Sequence, residues 1–149
     1  MEQSISLQTW KGVIIGCVVS IVLITIVFRF SKLYPYDYLS GIVLFFLFGI
    51  GGMIAVVITK TETLPSTIYI GFIAGTVIGI YFALYSTIDM LYFVNNAGAN
   101  ESFVKSHLQH NMYSLVFMAI WNFLVIVSIN TISGAIIYGV RKAVTHYKK

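Results

Sequence analysis

Few residues in this chain have the types and spacing to do chemistry. Asp89, Asn122, Asn130 and Ser133 stand inside long apolar runs. An ionisable group in such a run is costly in a membrane and tends to be functional. Asp89 lies eighteen residues after Gly71, about five whole turns of a helix, so Asp89 and Ser86 continue the face of Gly71. One role for Asp89 is to bind a cation or proton, or to anchor Arg29 or Lys105. The other is a hydrated carboxylate at the outer interface, and its place near the end of a long run favours that one. Asn122 and Asn130 are eight residues apart, about 80° around a helix, and Ser133 falls between them in angle. They predict a polar stripe facing other helices. Interhelical hydrogen bonds worth about 0.6 kcal/mol each are the plainer use of that stripe, and the lining of a solute path the sharper one.

Other reactive groups fall short of a site. His107 and His110 are three apart, with Glu101 nearby, whereas a zinc site wants three or four ligands. A solvated loop is the better reading, and no metal or cofactor is expected. Cys17 is the single cysteine, so neither an intrachain disulfide nor a thiolate cluster can form. Asn100-Glu101-Ser102 matches the glycosylation acceptor pattern. No nucleophile elbow, HExxH, Walker loop, dinucleotide fingerprint or pair of carboxylates occurs, which argues against an enzyme.

The elements that position these residues follow from composition. Of 149 residues, 58% are hydrophobic and 9% charged, against roughly 25% charged in soluble domains. So small a soluble fold has too much surface for its volume to hide that much apolar area. Lipid is therefore the expected solvent, and a single domain over residues 1–149 the expected organisation. Charges fall at the ends of the apolar runs, with no basic patch interleaved with aromatics, so nucleic acid is not an expected partner. The runs cover residues 12–28, 38–59, 68–94 and 113–140. Each is about as long as a membrane helix needs, the first a little short and the last two long enough to tilt or project. The first ends at Arg29 without a small-x-small cleavage pattern, and so reads as a retained span, not a signal peptide. The expected fold is all-α: four transmembrane helices in an antiparallel bundle.

The connections carry further signals. Tyr34, Tyr36 and Tyr38 surround Pro35 in the first, as befits the headgroup zone. The second, Lys60 to Ser66, is a polar hairpin in which Pro65 breaks the helix before the third span. In the longest, Asn95-Asn96-Ala97-Gly98 reads as a helix stop. Asn100 there would cap a short helix carrying Phe103, Val104, His107 and Leu108, lying on the outer membrane surface. Four spans put both termini and the second connection on one side. That side holds Lys11, Lys60, Arg141, Lys142, Lys148 and Lys149, against Arg29, Lys32 and Lys105 on the other. The positive-inside rule then places both termini in the cytoplasm of a multi-pass cell-membrane protein. The basic tail anchors this topology and attracts anionic lipid.

The sharpest pattern is a glycine zipper, Gly71, Gly75 and Gly79, with Ala83 at the same spacing; Gly12, Gly16 and Ser20, and then Gly51, Gly52 and Ala55, repeat the theme. Residues four apart share a helix face, and glycine lets a neighbouring backbone come close. Ordinary packing within the bundle is the plainer reading, and oligomerisation or a ligand groove the functional one. Gly51-Gly52-Met53-Ile54-Ala55, the polar hairpin and the Gly71/Gly75/Gly79 series together resemble the Gly-rich hairpin of small uncharacterised multispan membrane proteins of archaea and Gram-positive bacteria. That resemblance spans the middle third and implies no activity and no functional residue. The expected role is a non-enzymatic structural or accessory subunit, its working surface the glycine face of the third span. Its partners are membrane lipid and a second copy or a larger membrane complex. The alternative is a small transporter or pore-forming homo-oligomer using Asp89, Asn122 and Asn130.

Overall fold

The computed structural model describes the backbone of residues 7–30, 38–96 and 101–147, and side chains for 9–27, 46–88, 116–117 and 119–147. All the described elements are helices: α1 (Leu7–Phe30), α2 (Tyr38–Thr59), α3 (Leu64–Asn96) and α4 (Glu101–Tyr147). Three contain stretches long and apolar enough to cross a membrane: Thr9–Val27, Leu64–Ile88 and Ala119–Tyr147. The described apolar stretch of α2, Phe46–Thr59, is shorter.

The α2–α3 turn is built from local chemistry. α2 ends where Lys60 enters the left-handed region at φ 48°, a conformation that stops a helix. Thr63 then caps α3. Its Oγ1 accepts from the Ser66 amide at 3.4 Å, and its carbonyl accepts from the Thr67 amide at 3.1 Å. Pro65 therefore lies inside the first turn of α3, and does not break the chain ahead of it. A helix start tolerates proline because its first amides have no intrahelical partner.

α4 departs further from the sequence reading. A separate outer helix and a span from residue 113 give way to one helix of 47 residues. At 1.5 Å per residue it is about 70 Å long, more than twice a hydrocarbon core of about 30 Å. The stretch from Glu101 to Met112 contains neither glycine nor proline, so nothing in it interrupts a helix.

Contacts between helices set the register. Gly12 meets Thr59, Gly16 meets Gly51, and Ser20 bonds Leu47, so α1 and α2 run in opposite senses. Gly71 meets Asn130 and Thr131, Gly75 meets Val127, and Gly79 meets Phe123, so α3 and α4 do too. α2 and α3 both lie centrally, while α1 touches these two but, among the described residues, not α4. The core between them holds Ile24, Phe48, Val56, Ala74, Ile78 and Ile126. Phe48 and Phe82 meet edge to face, their centroids 5.0 Å apart. Outward faces are apolar, with Ile14, Val18 and Val22 on α1 and Phe117, Trp121 and Leu124 on α4 all exposed.

Candidate functional site

Among the described residues, buried polar groups and close backbone contacts come together where α2, α3 and α4 cross. Asn130 is at the centre of this crossing and wholly buried. Its Nδ2 donates to the Ile126 carbonyl at 2.9 Å, one turn back on the same helix. Its Oδ1 accepts from the Gly52 amide of α2 at 2.7 Å. A mid-helix amide reaches a side chain on another helix only where the two backbones nearly touch. Gly52 permits this, since a Cβ there would run into the Asn130 carbonyl oxygen. Ser133, one turn further and also buried, sits against Gly49, where a Cβ would come within 2.5 Å of its Oγ.

α3 closes the other side. A Cβ on Gly71 would lie 2.9 Å from the Asn130 carbonyl oxygen, and one on Gly75 2.8 Å from the Val127 Cα. A Cβ on Gly79 would stand 2.9 Å from the Phe123 ring, a side chain that can give way. Across the molecule Gly16 faces the Gly51 carbonyl, Gly51 faces Ile78, and Gly12 faces the Thr59 methyl. Gly12, Gly16, Gly51, Gly52, Gly71, Gly75 and Gly79 thus all lie where helices of this chain meet. The glycine face of α3 is covered by α4, so it is not a free working surface. Close approach is what van der Waals packing between helices requires in lipid.

The polar stripe on α4 is divided. Asn130 and Ser133 are buried, whereas Asn122, 80° away around the helix, is only half-buried. Asn130 spends its amide on helix backbones at both ends, which is the chemistry of a clamp. The side chains of Asp89, Glu101, His107 and His110, and the whole of Asn100, lie outside the described residues. Among the described residues no three His, Cys, Asp or Glu side chains gather to hold a metal.

Two features were not drawn from the sequence. Thr25 Oγ1 donates to the Ile21 carbonyl at 2.7 Å and so accepts from the Tyr81 hydroxyl at 2.8 Å, joining α1 to α3. Tyr81 stacks on Tyr85, with centroids 6.1 Å apart. The second is an open crevice at the α2–α3 turn, lined by that turn and the end of α4. No recurring spacing announces either, because each joins residues more than fifty positions apart.

Comparison with protein-family models yields no match, and comparisons with curated proteins and with solved structures yield none either.

Proposed function

We propose that this chain is a four-span, antiparallel integral membrane protein of the cell membrane with both termini in the cytoplasm. Its work is done through helix packing, as a non-enzymatic accessory subunit of a membrane complex. One observation carries this reading: the only wholly buried amide among the described residues is consumed in clamping α4 to α2. A solute path needs polar groups free to exchange partners with the solute. Asn130 has both ends of its amide engaged with backbone, and glycine contacts seal the space around it.

With the α3 glycine face covered, contact with a partner falls to the outward apolar faces, among them Ile14 and Val18 on α1, Ile80 and Leu84 on α3, and Phe117 and Trp121 on α4. The orientation has its own support. Lys11, Lys60, Arg141 and Lys142 gather at one end of the bundle, as the registers of Gly12 with Thr59 and of Tyr138 with Glu62 require. In a cell, cations gather on the cytoplasmic side.

The test is reconstitution of the purified chain into vesicles beside copurification from native membranes. The expected result is no ion or solute flux above protein-free vesicles, and one membrane protein recovered in fixed ratio. Flux that disappears when Asn130 is replaced by leucine would overturn the reading in favour of a transporter.

A further inference from the structure

The crevice at the α2–α3 turn has a volume of about 220 Å³ and is lined by Thr61, Glu62, Tyr138, Arg141, Lys142 and Thr145. Its walls are held by directed bonds. Thr61 and Thr67 share a hydroxyl contact of 2.7 Å that ties the turn to the first turns of α3. The Tyr138 hydroxyl donates to the Glu62 carbonyl at 3.3 Å, joining the turn to α4. Lys142 holds its ammonium 5.6 Å from the centre of the Tyr138 ring, a cation–π contact that directs it over the crevice wall. The Thr145 hydroxyl is engaged with the carbonyls of Arg141 and Lys142 at 3.0 and 2.9 Å. Thr145 therefore has no proton left to offer, and the strong donors of the crevice are Arg141 and Lys142.

We propose that this crevice binds the phosphate of an anionic lipid headgroup at the membrane surface. A guanidinium and an ammonium on consecutive residues, one a planar fork and the other a point charge, suit a phosphate. Both follow directly on the apolar part of α4, at the depth where headgroups sit, and tyrosine belongs to the same zone. The lone carboxylate in the lining, Glu62, opposes the anion and so limits its affinity. Diffuse attraction to an anionic surface would depend on net charge alone, whereas this crevice ranks the cations by position. The proposal rests on the chain being embedded in a bilayer. That reading fails separately if the chain remains soluble without detergent.

The experiment is native mass spectrometry of the full chain in mild nonionic detergent, titrated with phosphatidylglycerol, phosphatidylcholine or inorganic phosphate. Wild type is expected to retain phosphatidylglycerol over phosphatidylcholine. Each cation near a membrane surface contributes about five-fold, so R141Q with K142Q is expected to weaken retention about 30-fold. E62Q is expected to tighten it about two-fold, in the range of an exposed charge pair. Equal retention of the two lipids by wild type would overturn the proposal. So would a loss in K11Q with K60Q matching that of R141Q with K142Q, since those cations lie at the same end but outside the crevice. Displacement of the lipid by low-millimolar inorganic phosphate would also overturn it, by assigning the crevice to a free anion.

Discussion

Two helix contacts in this molecule solve the same problem in opposite ways. Where α4 crosses α2 and α3, the backbones themselves meet. The place of a Cβ on Gly52 or Gly71 is taken by the Asn130 carbonyl, and on Gly75 by the Val127 Cα. Where α1 meets α3, the contact is made largely by side-chain tips: the Thr25–Tyr81 hydroxyl pair at 2.8 Å and the Cys17 thiol 3.8 Å from the Ala74 carbonyl. Backbone has no rotamers with which to retreat, while a tyrosine tip can turn aside. The first contact should therefore tolerate almost no added volume, and the second should lose only the bond removed.

The largest effect is expected from G52A. Its new methyl meets α4 backbone and also forces the Gly52 amide away from Asn130. Overpacking of this kind costs about 1–3 kcal/mol, and loss of the bond adds to it. Unfolding in mixed dodecyl sulfate micelles would measure the cost. A variant as stable as wild type would show that α2 and α4 do not meet at backbone distance. N130A is expected to follow, at about 1–2 kcal/mol, since it removes a fully buried interhelical bond at the strong end of the membrane range and leaves a small cavity, while the Gly52 amide keeps its place within α2. The two changes act on one bond, so the double variant should lose less than the sum of the singles. Strict additivity would sink the clamp.

How much of this was legible beforehand varies from residue to residue. Lys60, which closes the second apolar run, also closes α2, because the polar turn that begins there brings the chain into the left-handed region. The length of α4 was hidden for the converse reason. Its first residues turn polar, which changes the solvent they suit but not their capacity to be helical. Pro65 was misplaced because proline is a breaker within a helix and a good starter at its first turn. The Gly71, Gly75 and Gly79 spacing announced a smooth face without saying which helix would cover it. Nothing in the sequence pairs Asn130 with Gly52, since any backbone amide is a possible donor and only the fold selects one.

The smallest effect is expected at the side-chain contact. Y81F removes the hydroxyl that donates to Thr25, while the ring keeps its place against Tyr85. Thr25 is left with its bond to the Ile21 carbonyl, so no donor is stranded. Hydrogen bonds between membrane helices average about 0.6 kcal/mol in double-mutant cycles, because the unfolded chain in the membrane also finds partners. The expected loss is of that size, measured in the same micelle titration, with T25V giving a similar value and the double variant adding little. If Y81F instead cost as much as G52A, the α1–α3 contact would be as unyielding as the backbone crossing. The distinction would then lie not between side chain and backbone but between positions in the bilayer, with Tyr81 holding its partner in a stretch as closed to water as Asn130.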